Sequence, residues 1–239
     1  MKLYIPREHG AWSMWISPFF IAAFLSPWTS LKVLAFIGVL SLYCSSASLL
    51  ALFRTAKPKE SPYPSLLLFF LTGAAFLSVP IWMYPETLLY GLVVIPFFLL
   101  NIYFAKKKSE RLFLNDVMAI AALSSISMFV VHLGFGHFDW IGVKIWGICI
   151  AYFTGTVFYV KSLIRERGNT RFRRASYLYH LSLVLIPFLL GYWWVSLIFL
   201  PFLLKVIGTP AHIKPRAMTI GIAEIFFSIL FVVLTTLLL

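Results

Sequence analysis

Charge is scarce in this chain. Of its 239 residues only 12% are Asp, Glu, Lys or Arg, just 8 are acidic, and 61% are hydrophobic. So little polar surface cannot cover a water-soluble globule, and the composition points instead to a polytopic membrane protein. Cysteine is nearly absent. Cys44 and Cys149 both lie inside apolar stretches, where they read as small core residues rather than as a disulfide or a metal motif. Also missing are the Walker loop that cradles phosphate, the dinucleotide-binding glycine fingerprint, the G-x-S-x-G turn of serine hydrolases and the zinc-binding H-E-x-x-H pair. The templates of soluble catalysis do not apply, and no metal or cofactor is called for. No small-residue cleavage pattern follows the first apolar stretch, so the first helix is expected to be retained.

What the chain has is apolar length. Runs fall at about 10–27, 32–53, 65–84, 87–104, 113–133, 140–160, 175–191, 194–207 and 217–239. At about 20 residues per crossing, nine helices use about 180 residues, leaving only short loops. The expectation is an all-α polytopic bundle of nine transmembrane helices in a single domain, 1–239. The doubtful division is within 175–207, where Gly191-Tyr192-Trp193-Trp194 is the one break in a long apolar run.

Charge placement decides it. The net charge of +12 comes from basic clusters between apolar runs, which argues for anionic headgroups rather than nucleic acid as the partner. With two helices in 175–207, the basic residues Lys2 and Arg7, the cluster at 54–59, Lys106 to Arg111, Lys161 to Arg174 and the cluster at 205–216 share one side, and only Lys32 and Lys144 fall opposite. The positive-inside tendency then puts the amino end in the cytoplasm of a bacterial plasma membrane and the carboxy end outside.

Three polar constellations interrupt the apolar pattern. The first is Pro6-Arg7-Glu8-His9-Gly10-Ala11-Trp12, at the start of helix one. Pro6 and Glu8 suit a first helical turn, so a capped, interface-anchored helix start explains the run. Arg7, Glu8 and His9 together also make a polar site at the inner mouth of a bundle. The second is Lys106-Lys107-Lys108-Ser109-Glu110-Arg111, followed by Asn115-Asp116. The lysines read as headgroup anchors, whereas Arg111, Asn115 and Asp116 are spaced to form an inward polar patch.

The third and densest is Tyr159-Val160-Lys161-Ser162-Leu163-Ile164-Arg165-Glu166-Arg167-Gly168-Asn169. If the helix runs through it, Lys161 and Arg165 share a face at i, i+4, where like charges conflict unless an anion lies between them. Gly168-Asn169 then closes the helix, and Arg171, Arg173 and Arg174 are assigned to lipid headgroups. Two more polar residues sit deep in apolar runs. These are His180 and Glu224, the latter a carboxylate that must face inward to a cationic or hydrogen-bonding partner. His132 and His137, beside Gly134, Gly136 and Asp139, read as solvated loop histidines. A haem held by His9, His180 and His212 finds no supporting spacing.

These motifs resemble the bacterial YwiC-like family across essentially the whole chain. A more distant resemblance is to UbiA-type intramembrane prenyltransferases, on the stretches Arg7 to Pro18 and Tyr103 to Met128. It implies nine helices in the same orientation and a cavity open to the cytoplasm. UbiA-type enzymes hold Mg²⁺ with aspartate-rich motifs after helices two and six. Here Cys44-Ser45-Ser46-Ala47-Ser48 and Arg54 follow helix two, and Lys161, Arg165 and Arg167 with Glu166 alone follow helix six. Bases in place of acids suggest an anionic headgroup neutralised directly by protein cations.

Three functional readings stay open. In the first, Arg7, Arg54, Arg111, Asn115, Tyr159, Lys161, Arg165, Arg167 and Asn169 bind the anionic head of an isoprenoid or other membrane lipid. Glu8, His9, Asp116, His180 and Glu224 then supply proton-transfer or hydrogen-bonding groups, as in a metal-independent or degenerate prenyltransferase. The second is a small proton-coupled transporter with Glu224 and His180 as its relay. The third is an accessory or assembly protein of a respiratory complex.

Overall fold

The computed structural model describes residues 3, 5–6, 9–53, 61–209 and 215–239, with His9 described by its backbone alone. Among the described residues the chain is helical, without strands. The helices are α1 (His9–Phe24), α2 (Leu31–Phe53), α3 (Tyr63–Met83), α4 (Leu88–Lys106, led by a 3₁₀ turn Pro85–Thr87), α5 (Phe113–Ser124), α6 (Ile126–Phe135), α7 (Trp140–Leu163), α8 (Thr170–Leu189), α9 (Trp193–Ile207) and α10 (Ala217–Leu238). Helices α5 and α6 follow one another as a single apolar stretch, Phe113–Phe135. The ten helices therefore make nine helical segments, one for each apolar run.

Six segments are long and apolar enough to cross a membrane: Leu31–Phe53, Tyr63–Met83, Pro85–Lys106, Phe113–Phe135, Trp140–Leu163 and Ala217–Leu238. Two others are apolar but shorter, Gly10–Phe24 and Trp193–Ile207, and α8 opens on Arg171, Arg173 and Arg174. Large apolar side chains cover the outside of α3, α4 and α10, among them Leu67, Phe70, Leu71, Leu92, Ile95, Ile222 and Phe226. In water such a surface would aggregate, whereas in hydrocarbon it is solvated.

The chain divides into two compact units, Met1–Trp146 and Gly147–Leu239. In the first unit, α6 is the central helix: Ser127 through Leu133 are all buried. Helix α1 packs on α5 and α6, α2 on α3, and α4 on α5. The α2 to α3 contact is close because Gly38 and Gly73 face each other. A Cβ on either would meet a leucine at under 3 Å and the other glycine's carbonyl oxygen at 3.3 or 3.1 Å.

The break between α5 and α6 at Ser125 is built from serines. Ser125 Oγ donates to Ala122 O at 2.7 Å, Ser124 Oγ to Met14 O at 3.3 Å, and Ser127 Oγ lies 2.9 Å from Gly142 O. The Ser125 hydroxyl thus meets a carbonyl of the interrupted helix, whereas Ser124 and Ser127 bond carbonyls of α1 and α7, Met14 O being one that Pro18, without an N–H, leaves unfilled.

Lys32, in the first turn of α2, is 1% exposed. Its Nζ donates to Ala23 O at 3.2 Å, Ser26 O at 3.1 Å and Ser26 Oγ at 2.7 Å. All three ammonium protons are used at the carboxy-terminal end of α1, where carbonyls lack helical partners and the helix dipole favours a cation.

In the second unit α8 and α9 form a helical hairpin, with α10 packed on α9. The expected break is at Gly191, whose φ of +85° suits glycine, and Tyr192 N–H donates to Pro187 O at 2.8 Å to close it. Tyr152 lies parallel to Phe231 with ring centroids 3.9 Å apart and meets Phe202 edge-on at 4.6 Å, tying α7, α9 and α10 together.

One helix end differs from the sequence expectation. Helix α7 stops at Leu163 instead of running to Gly168, because Lys161 O accepts from both Arg165 N at 3.0 Å and Glu166 N at 2.8 Å and so closes the last turn. Lys161 is buried while Arg165 is exposed, and the two do not form the expected i, i+4 pair. Asn169 does not cap α7. It starts α8, its Oδ1 accepting from Phe172 N at 3.1 Å.

Substituting Lys32 by Met strips three donors from buried acceptors and is expected to destabilise the protein by about 1–3 kcal/mol. Lys144→Met, at an exposed lysine, should stay within about 0.5 kcal/mol. Thermal unfolding of the two variants in the same detergent measures the difference.

Candidate functional site

A carboxylate inside an apolar helix needs a partner, and Glu224 on α10 finds one on α9. Lys205 Nζ lies 2.8 Å from Glu224 Oε1, the two side chains being 4% and 13% exposed. Glu224 Oε2 is buried without a hydrogen-bond partner. The ammonium is further enclosed by two aromatic faces, Tyr159 at 4.3 Å and Phe227 at 4.7 Å from the ring centroids. Such faces carry negative quadrupole density and stabilise a desolvated cation.

Tyr159 connects this pair to the end of α9. Thr209 Oγ1 donates its only proton to Lys205 O at 2.8 Å, so at the 3.1 Å contact between Tyr159 OH and Thr209 Oγ1 it is the phenol that donates. Arg173 on α8 reaches the same corner. Its Nη2 donates to Thr209 O at 2.6 Å and to Tyr177 OH at 3.0 Å. A cleft beside them is lined by Tyr159, Ser162, Arg173, Ser176 and Thr209 among others. The Ser176 hydroxyl on its wall is buried and has no partner.

On the other side of Lys205 is a small cavity of about 10 Å³, with room on the order of one water molecule. Tyr152, Thr156 and His180 line it, together with Lys205. His180 is 3% exposed, and its Nδ1 donates to Ser176 O at 2.8 Å. A carbonyl only accepts, so the neutral ring carries its proton on Nδ1 and keeps a lone pair on Nε2. That nitrogen faces Gly155, where a Cβ would come within 3.0 Å of it. The hydroxyls of Tyr152 and Thr156 are buried beside the cavity. The arrangement joins the Arg173 corner to a buried cation, a carboxylate with one free oxygen and an imidazole lone pair.

The sequence-derived candidates separate accordingly. Tyr159, His180 and Glu224 belong to this cluster, and Lys161 is buried near it on α7. Arg165 is exposed, and Arg167 is exposed with its Nε folded back on Leu163 O at 2.9 Å. Asn169 Nδ2 donates to Glu166 Oε2 at 2.8 Å, so that part of the motif secures the α7 to α8 turn. In the first unit Arg111 is exposed ahead of α5, and Asn115 Nδ2 donates to Glu110 O at 2.9 Å. Asp116 is half-buried in the first turn of α5. Arg7, Glu8 and Arg54, and the side chain of His9, lie outside the described residues.

Sequence reasoning missed Lys205, counted only within a basic cluster, Arg173, assigned to lipid headgroups, and the hydroxyls of Tyr152, Thr156 and Thr209. Lys205 carried a usable signal, since it stands in Phe202-Leu203-Leu204-Lys205-Val206-Ile207, as isolated among apolar residues as Glu224 is.

Comparison with known proteins places the chain. The profile of the YwiC-like protein family matches residues 5–131. The uncharacterized protein YwiC of Bacillus subtilis is 33% identical over 94% of this chain and 93% of its own length. An uncharacterized protein of Haemophilus influenzae is 31% identical over 98% of each chain. No solved structure matches. The chain belongs to the YwiC-like family, and with its apolar helices it is a multi-pass protein of the bacterial plasma membrane.

Removing one partner of a buried ion pair leaves the other charge uncompensated, at a cost of about 3–5 kcal/mol, whereas replacing both with apolar groups is often neutral. Lys205→Met is therefore expected to unfold well below wild type in detergent, and Lys205→Met combined with Glu224→Leu to recover most of the loss. A double variant no more stable than the single one would show that Glu224 does not depend on Lys205.

Proposed function

We propose that this protein crosses the membrane nine times, with a cytoplasmic amino end and an external carboxy end, and receives the anionic head of an isoprenoid or other lipid at the basic end of its second unit. The head is held by protein cations without Mg²⁺, as expected of a relative of UbiA-type proteins that lacks their aspartate-rich motifs. The observation that carries the reading is Arg173. Its guanidinium is half-buried, oriented by Thr209 and Tyr177, and set beside the unpartnered Ser176 hydroxyl. Arginine so fixed matches the planar oxygens of phosphate or carboxylate. In this reading Arg173 leads, Tyr159 and Lys161 support it, and Arg165 and Arg167 meet bulk headgroups. Chemistry on the bound head would be that of a metal-independent transferase, with the Lys205–Glu224 pair and His180 as its proton-handling groups.

A second reading, a small proton-coupled transporter, draws support from one arrangement. Glu224 Oε2 is unpartnered, and His180, with a lone pair on Nε2, lines a water-sized cavity together with Lys205. Ionisable groups so placed in a membrane are by default functional.

Native mass spectrometry of gently purified full-length protein, supplemented with geranyl diphosphate or phosphatidylglycerol, separates these readings. Arg173→Gln is expected to lose bound anionic amphiphile about tenfold, the equivalent of about 1.4 kcal/mol, with Arg165→Gln within about twofold of wild type. Equal retention by both variants overturns the headgroup reading. Glu224→Gln that keeps its lipid but abolishes proton uptake in proteoliposomes establishes the transporter instead.

A further inference from the structure

The most complete polar cluster outside that site lies in the first unit, at the end of α6 away from the basic clusters. His132 is 2% exposed. Its Nε2 lies 3.1 Å from Glu86 Oε1 and its Nδ1 2.9 Å from the hydroxyl of Tyr90. The rings of Tyr84 and Tyr90 meet the imidazole edge-on, at centroid distances of 5.5 and 5.7 Å. This histidine does not lie in a solvated loop, as the surrounding glycines and Asp139 had suggested. It is part of a helix, and every polar atom of its ring has a partner.

The partners fix the protons. A carboxylate only accepts, so in the neutral ring Nε2 carries the proton and Nδ1 accepts from the Tyr90 hydroxyl. Glu86, its side chain 50% exposed, connects the buried ring to the outside. A proton added to the ring can reside only on Nδ1. There it must donate to the Tyr90 oxygen, and the phenol proton must turn to another acceptor.

We propose that Glu86, His132 and Tyr90 form a proton-binding site in which uptake of one proton by His132 reverses the hydrogen bond to Tyr90 and frees the Tyr90 hydroxyl to donate elsewhere. Proton balance is simple: one proton is taken up on the Tyr90 side and forms the Nδ1–H bond, the ring becomes imidazolium beside the Glu86 carboxylate at Nε2, and no bond between heavy atoms changes.

The surroundings allow it. Helix α2 contributes Lys32, whose ammonium is committed to Ala23 and Ser26. From α4 and its leading turn come Glu86 and Tyr90, and from α3's end Tyr84. Helix α5 contributes only Asp116, in its first turn, while α1 brings no titratable side chain among its described residues. Past α6, His137 is bonded to Phe138 O at 2.9 Å and Asp139 accepts from Ile141 N at 2.7 Å. Among these described groups, the anion at hydrogen-bond distance from the imidazole is thus Glu86. Under the orientation proposed above, the site reads acidity on the external side. The inference itself does not depend on that orientation or on the headgroup reading.

Solid-state NMR of the full-length protein in lipid vesicles, with ring-¹⁵N histidine and His132→Gln for assignment, tests it directly. The expected wild-type spectrum shows Nε2–H with a hydrogen-bonded Nδ1 at alkaline pH, and both nitrogens protonated at acid pH. Tyr90→Phe should leave the same tautomer with Nδ1 no longer hydrogen-bonded. Glu86→Gln, which removes the charge beside the imidazolium, should cut the doubly protonated fraction at a fixed acid pH about tenfold. Unchanged resonances from the other histidines control for folding in both variants. An Nδ1–H tautomer at alkaline pH, or a doubly protonated fraction insensitive to Glu86→Gln, overturns the proposal.

Discussion

Hydrocarbon cannot hydrogen-bond, and that constraint organises this molecule. Every carbonyl, hydroxyl and charge carried into the apolar helices must be met by another group of the protein. The chain has few such groups, and they are concentrated where helices meet. Lys32 ties itself to the end of α1, the serines around Ser125 bridge an interrupted helix, and Lys205 meets Glu224 between α9 and α10. Because the apolar contacts between helices resemble those with lipid, it is these polar fastenings that choose one packing among many.

The same constraint separates polar groups with every bond made from those with capacity left over. Lys32 uses all three protons on fixed acceptors and has no freedom left. Glu224 retains an unpartnered oxygen, His180 a lone pair on Nε2, and Ser176 an unengaged hydroxyl. Burial of a polar atom without a partner is costly, and in this corner a carboxylate oxygen and a hydroxyl both bear that cost.

Much of the fold was legible in the amino-acid pattern, because apolar length and basic punctuation carry it directly. Each apolar run is a helical segment, and the break at Gly191 lies where the over-long run 175–207 had to be divided. What could not be read is which face of each segment turns inward. Helices apolar on every side carry no polar stripe to orient them. Hence Arg173 was assigned to headgroups although it bonds Thr209, and His132 to solvent although it is enclosed by Glu86, Tyr84 and Tyr90. The extension of α7 to Gly168 failed for a local reason, the double acceptance at Lys161 O, which no side-chain pattern encodes. Glu224 was the exception. A lone carboxylate in an apolar run demands a cation wherever it points, and that demand identified the site before its partner was known.

The clasp of Lys32 on α1 bears on biogenesis. At 16 residues α1 spans about 24 Å, short of the roughly 30 Å hydrocarbon thickness, and the next helix begins with a charge that a bilayer resists. Once the ammonium has closed on the carbonyls of Ala23 and Ser26, its charge is fully hydrogen-bonded within the protein, so the two helices are suited to enter the lipid as a prefolded hairpin rather than one after the other.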